Sequence, residues 1–323
     1  MHRFKDILCV VVPDADNGVA LARAAAIVDN NQARLTVVDI INDIPPILSP
    51  ELSPEVIQEL MVNEHQQGLQ KLTSSLPNDS EIQTKVLNGI PFLEIIKEVL
   101  HSDRDIVIKT AEKSGLLDRV FGSGDMHLLR KCPCPVWLVQ TGAPKVYKRI
   151  VAAIDVDDNY PVEELNTRRQ LNIDILEMAC SLAISEFAEL HIIHVWRAAG
   201  ESELRDGFIK RSENEIVAYV EEIRQRHERN FNLLINEIIT KLELDTSDYL
   251  KPQTHLIKGS PRNEISAFAK EIEADLVIMG TVARTGISGL FMGNTAETIL
   301  NKLNCSVLAI KPPGFKTPVV VKD

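Results

Sequence analysis

The sequence repeats itself once, and this constrains its fold more than any other feature. Val86-Leu87-Asn88-Gly89-Ile90-Pro91 precedes an amphipathic run ending in Asp105-Ile106-Val107-Ile108, and Leu256-Ile257-Lys258-Gly259-Ser260-Pro261 precedes a similar run ending in Asp275-Leu276-Val277-Ile278. The two Gly-x-Pro signals are 170 positions apart, and so are the two aspartates. Near the start, Phe4-Lys5-Asp6-Ile7-Leu8 matches Tyr147-Lys148-Arg149-Ile150-Val151 at an offset of 143, and Ala33-Arg34-Leu35-Thr36-Val37-Val38 matches Ala188-Glu189-Leu190-His191-Ile192-Ile193 at an offset of 155. The growing offset puts insertions between the first and third strands of the second copy. Such a chain must fold as two versions of one unit.

Each copy alternates short β-branched runs with helical segments. Strands are expected near 6–12, 34–40, 82–87, 104–109 and 135–140, then near 149–155, 189–196, 253–258, 274–280 and 306–311. This alternation predicts an α/β fold of two tandem domains, each a five-stranded, mostly parallel sheet with helices on both faces. Pro91 and Pro261 stand where proline is tolerated, at helix starts. The domains are expected at 1–141 and 147–315, with a turn-forming linker at 142–146 and a tail at 316–323. So short a linker should hold the halves together as a pseudo-twofold pair; two chains associating as a homodimer stays open. Residues 211–244 read as an amphipathic helix with a polar break at 224–230, packed on the sheet or on the other domain.

The chain carries 35 Lys and Arg against 46 Asp and Glu, a net charge of −11 shared by both halves. Neither half has the basic excess of a nucleic-acid binder, so an anionic ligand must be held by local donors. No run approaches the ~20 apolar residues of a membrane span, and the N-terminus lacks a signal-peptide layout, so a cytoplasmic location is expected. The five cysteines read as reduced thiols. Cys132-Pro133-Cys134-Pro135 reads as a proline-stiffened entry into a strand, because zinc usually needs four convergent ligands. His101 and His127 lie near it without a pattern that makes a metal site.

The segment 279–300 carries the chemistry. It leaves the apolar run 274–279, passes Gly280, Gly286, Gly289 and Gly293, and reaches Asn294 and Thr295 just before the helical run 296–303. Strand, glycine-rich loop and helix start together form a place for a phosphate: glycines let backbone amides approach, and the helix start supplies free donors.

Two such domains, each with Gly-x-Pro before the third helix and a glycine-bearing loop after the fourth strand, resemble a tandem universal stress protein of the two-domain E type. The resemblance spans nearly the whole chain. It implies binding of ATP, with Mg²⁺ as an accompanying ion, through a loop of the form G-x2-G-x9-G-(S/T). Here that loop reads Gly280, Ala283, Gly293 and Asn294, with Thr295 adjacent. It also implies an acid at the end of the first strand, Asp155, near ribose and base; a backbone contact to adenine at Val195; Met279 beside the base; and Arg284 toward a phosphate. Plain structural roles stay open for these four: a turn or cap aspartate, a core valine, a core methionine and a solvated arginine. In the first copy Val12 stands where Asp155 stands in the second, the first two motif positions lack glycine, and Glu112 would repel a polyphosphate; no nucleotide is expected there. Gly122-Ser123 survives and is also common as simple capping.

No nucleophile with an evident base appears, nor HExxH, a Walker lysine or a nucleophile elbow; no catalytic residue is assigned. His191 and His194, on the predicted strand 189–196, are expected on one face, as structural histidines in preference to zinc ligands. The resulting reading is a stress-response protein that binds ATP or a related adenine nucleotide in its second domain as a sensor or regulatory module. Two others stay open: a scaffold or carrier of a small apolar ligand, motivated by Ala283 and Asn294, and a weak ATPase.

Overall fold

The computed structural model describes residues 4–42, 53–74, 76, 82–112, 121–206, 211–242, 250–281 and 292–321. In the first half these form β1 (Asp6–Val10), α1 (Gly18–Asn31), β2 (Arg34–Ile41), α2 (Pro54–Thr73), β3 (Ile82–Asn88), α3 (Pro91–Ser102), β4 (Ile106–Thr110), α4 (Ser123–Lys131) and β5 (Val136–Val139). The second half adds β6 (Arg149–Ala153), α5 (Val162–Glu186), β7 (Glu189–Trp196), α6 (Glu201–Asp206), α7 (Glu213–Lys241), β8 (Gln253–Lys258), α8 (Pro261–Glu271), β9 (Leu276–Gly280), α9 (Asn294–Leu300) and β10 (Ser306–Ile310).

All ten strands belong to one sheet, ordered β3-β2-β1-β4-β5-β10-β9-β6-β7-β8. Within each half the pairing is parallel. The halves meet at an antiparallel seam, where Val307, Leu308 and Ala309 pair with Leu138, Trp137 and Val136. Each half therefore keeps a five-stranded parallel order, and the seam fuses the two into one sheet. Helices α1, α2, α5 and α7 cover one face, and α3, α4, α8 and α9 the other. This two-sided burial is why the inner strands are near-continuous apolar runs, whereas the edge strands β3 and β8 keep exposed polar residues.

The repeated sequence signals have repeated physical causes. Asp105 accepts the amides of Lys5 and Asp6 at 2.6 and 2.9 Å. Asp275 does the same for Lys148 and Arg149 at 2.6 and 3.0 Å. Each aspartate thus pins the first strand of its half to the fourth. The Gly-x-Pro glycines lie against Glu94 and Glu264; a Cβ at Gly259 would sit 2.6 Å from Glu264 Cγ, and Gly89 has φ of 135°. Both positions exclude a side chain, and the φ of Gly89 is one that residues other than glycine rarely adopt.

The 211–244 segment forms one unbroken helix over Glu213–Lys241. Its polar break is bridged because His227 turns inward, 2% exposed, and bonds His194 at 2.9 Å between Nδ1 and Nε2. The expectation that His191 and His194 share a face is corrected. Strand side chains alternate, so residues three apart point oppositely: His194 meets α7, whereas His191 meets His255 at 3.1 Å and the Phe268 ring.

Candidate functional site

In each half the first strand is flanked by the second and fourth, so the chain reverses its winding direction there. Open α/β sheets bind ligands at the C-terminal ends of strands at such a switch point. In the second half this edge holds a cleft of about 560 Å³. Its floor is the ends of β6, β7 and β9; one wall is the starts of α8 and α9, and the other is the start of α5.

Six of the nine expected residues line it together: Asp155, Val195, Met279, Gly280, Gly293 and Thr295. Asn294 is the exposed first residue of α9 and is not part of the lining. Ala283 and Arg284 lie outside the described residues. Val195 and Met279 are 7% and 4% exposed, so each is a core residue presenting one edge to the cleft. With Ile154 and Ile265 they make an apolar surface suited to a flat ring.

The other wall is the inserted segment that the sequence offset announced. Helix α5 starts well before the position matching α1 and brings Arg168, Leu171 and Asn172 to the site, with Tyr160 just ahead of it. Leu171 explains Gly280: a Cβ there would fall 2.7 Å from Leu171 Cδ2. Asn172 holds the end of β6 by a reciprocal pair, accepting from Asp155 N at 3.1 Å and donating to Asp155 O at 2.7 Å. The first half has the same device by another route, with Asn17 bonded both ways to Val12 at 2.9 Å.

The Asp155 carboxylate, half exposed to the cleft, accepts from the Tyr160 hydroxyl at 2.7 Å and the Asp157 amide at 3.2 Å. Arg168 lies 3.8 Å from it and stacks 3.4 Å over the Tyr160 ring. Burial, and then the Asp155 charge, push the Tyr160 phenol above its ordinary range, so it stays a donor. Asp155 keeps acceptor capacity for further hydroxyl donors.

At the opposite end, Gly293 is not one of the free amides: it donates to Thr281 O at 3.1 Å. Helix geometry leaves the amides of Asn294, Thr295 and Ala296 without partners inside α9. Arg262 reaches across from α8 to Thr295 Oγ1 at 3.5 Å. Arg197 and Arg262 both line the cleft, and no described carboxylate pairs with either. Tyr160, Arg168, Asn172, Arg197 and Arg262 were not singled out from the sequence. Only Arg262 had a local signal, its place directly after Gly-x-Pro.

The matching place in the first half is filled. Lys109, where Met279 stands in the second half, is 3% exposed and bonds Asp125 at 2.7 Å and Glu112 at 2.8 Å. Asp125, where Ala296 stands, is fully buried and accepts the amides of Glu112 and Gly122 at 2.7 and 3.3 Å. Glu112 lies over the helix start; a Cβ on Gly124 would be 2.8 Å from its Oε2. Two carboxylates and a lysine thus take the room that an anion would need.

A profile of the universal stress protein family matches residues 3–140 and again residues 168–311. The chain belongs to that family. It is 32% identical to a universal stress protein E homolog from Haemophilus influenzae over 322 residues, covering 96% of this chain and 98% of that one. It is 29% identical to universal stress protein E from Escherichia coli K12 over 333 residues, covering 100% and 99%. A crystal structure of a protein of unknown function from Pseudomonas aeruginosa PAO1 superposes with a TM-score of 0.69 at 25% identity, covering 96% of this chain and 93% of that one. The tandem arrangement is thus a property of full-length relatives within the universal stress protein family. Among the described residues no helix is long and apolar enough to cross a membrane, and no three His, Cys, Asp or Glu side chains converge as a metal site.

Proposed function

We propose that this universal stress protein binds ATP or a related adenine nucleotide in the cleft of its second half, and serves in stress response as a sensor or regulatory module. The observation that carries the reading is the convergence of Asp155, Val195, Met279, Gly280, Gly293 and Thr295 on one open cleft, while the same place in the first half is closed by Lys109, Asp125 and Glu112. In this reading the apolar surface by Val195 and Met279 takes the base and Asp155 accepts from the ribose hydroxyls. The amides at the start of α9, with Arg262, meet the phosphates. The domains divide at 142–146, and the first contributes no nucleotide site. Mg²⁺ would accompany the phosphates as counter-charge.

Equilibrium dialysis with labelled ATP tests this on the full chain. Wild type is expected to bind one nucleotide, Gly293→Asp none, and Gly122→Asp one. Absence of binding by wild type ends the nucleotide reading and leaves the scaffold or apolar-ligand reading, which mass spectrometry of co-purified small molecules addresses. ATP turnover that is unchanged in Asp155→Ala and Gly293→Asp would be contamination and not activity of this site.

A further inference from the structure

Lys311 follows β10 and is 7% exposed, yet no described carboxylate pairs with it. An ammonium group buried without a counter-ion is costly unless its protons and charge are met in other ways. Here its Nζ donates to Leu129 O and to Thr281 Oγ1, the latter at 2.7 Å, and lies 4.9 Å from the centre of the Phe315 ring. All three partners are neutral. Leu129 lies in the last turn of α4, where the helix dipole is negative.

The three partners come from different parts of the molecule. Leu129 belongs to the first half. Thr281 is fully buried, lines the cleft and begins the glycine-rich segment, and its carbonyl accepts from Gly293 at the far end of that segment. Helix α4 also holds that far end directly: Arg130 bonds Glu297, in the first turn of α9, at 2.5 Å. Both ends of the glycine-rich segment are therefore referenced to one helix of the other half. Nothing reciprocal exists among the described residues. Gln140 stands at the position of Lys311 in the first half, and only its backbone amide reaches across, to Ser306 Oγ at 3.1 Å.

We propose that Lys311 is a positioning residue for the nucleotide site: it locks Thr281 to α4, so that the first half sets where Thr281 and its partner Gly293 stand in the cleft, and hence the affinity of the second half. This rests on the nucleotide reading above. It gives the first half a task that its filled site does not, and it makes occupancy of the cleft and packing of the seam mutually dependent, since coupling between two equilibria is reciprocal.

Burial draws the Lys311 ammonium down to about 8, with the Cys132 and Cys134 thiols acting the other way. These thiols, Thr281, the Leu129 carbonyl and Phe315 are the groups that face it. Above that pH the neutral amine is a weaker donor to Thr281 Oγ1 and to the Leu129 carbonyl, so its hold on Thr281 slackens and affinity should fall. Stability should move oppositely. The unfolded chain holds this proton up to the ordinary lysine value of 10.5, so unfolding takes up a proton between the two values and the fold gains stability as pH rises through them.

The test is equilibrium binding of labelled ATP to the full chain at pH 7 and pH 9, with melting temperatures alongside. Wild type should bind about tenfold more weakly at the higher pH. Lys311→Met should be about tenfold weaker at pH 7, without the pH dependence, and melt no lower than wild type. Lys311→Arg should retain affinity at both pH values, and Arg130→Ala should weaken binding by a smaller factor. Wild-type affinity and pH profile in both Lys311→Met and Arg130→Ala would overturn the proposal. So would a weakened Lys311→Met that melts lower and is not rescued by arginine, which would make Lys311 a packing residue only. If wild type binds no ATP at either pH, the nucleotide reading itself falls, an outcome distinct from binding that the variants leave unchanged.

Discussion

Helices α4 and α9 begin at the same place in their halves, each just after a glycine that follows the fourth strand, yet their surroundings are opposite. At α4 the chain supplies its own anions: Asp125 accepts the Glu112 and Gly122 amides that a phosphate would otherwise approach, and Lys109 neutralises it from below. At α9 the corresponding residues are Ala296 and Met279, and both border the cleft, with no described side chain filling it. The rim differs as well. Arg262 faces Thr295 in the second half, whereas Phe92 stacks on His127 at 4.6 Å in the first. Duplicated folds can thus keep one architecture while a few side chains decide whether the switch point is a site or a piece of core.

This contrast can be broken at several points. The largest effect is expected at the plug. Asp125→Ala leaves Lys109 buried with only Glu112 and should cost about 3–5 kcal/mol in urea unfolding. The pair Lys109→Met and Asp125→Ala, which copies the second half, should recover most of that loss; equal damage in the double variant would show that the ion pair is not the closing element. Next, Gly280→Val drives a branched side chain into Leu171 and should cost about 1–3 kcal/mol. Adding Leu171→Ala should relieve part of it. Thr110, the first-half counterpart, carries such a side chain, buried with its hydroxyl 3.4 Å from the Asp16 carbonyl.

Arg262→Ala should weaken ATP by about tenfold while AMP changes little, roughly 1.4 kcal/mol for one charge-assisted contact. Phe92→Ala should change neither; equal loss for ATP and AMP would place Arg262 away from the outer phosphates. The last contrast, read as a slope with pH, concerns the strand residue two places from the end of β2 and of β7. In the first half Asp39 meets His65 at 2.6 Å, while in the second His194 meets His227 at 2.9 Å. Burial holds both His194 and His227 below the ordinary 6.5. Below 6.5 the unfolded chain binds protons that the fold refuses, so stability should decline on acidification by about 1.4 kcal/mol per pH unit per histidine at most. Urea midpoints from pH 7 to 5 should show this slope flatten in a His194→Asn, His227→Gln variant.

Much of the fold was legible because strands and repeats are local signals. The strands 189–196 and 253–258 match β7 and β8 residue for residue, and the other strands lie within two residues of their expected ends. That Asp155, Met279 and Gly280 would share one sheet edge was legible, because β-strand ends are near in sequence to the motifs that mark them. The His191 and His194 face was misread by counting three residues as an even step. Tyr160, Arg168 and Asn172 were not legible, because an insertion shows only as a changed offset and not as the wall it builds. Glu112 was singled out for its charge, but its partners Lys109 and Asp125 are sixteen residues apart from each other, and nothing local joins them.

Taken alone, the order of residues determined the duplication, the strand and helix succession, and the glycine positions where a backbone must pass close to another group. These depend on φ preference and on apolar spacing, which act within a few residues. Only the tertiary structure decided that the two sheets fuse at β5 and β10, that an ion pair fills the first switch point while the second borders a cleft, and that Lys311 bonds the end of α4 to Thr281. Those outcomes depend on which distant side chains share a buried space, where charge and volume must be balanced in three dimensions.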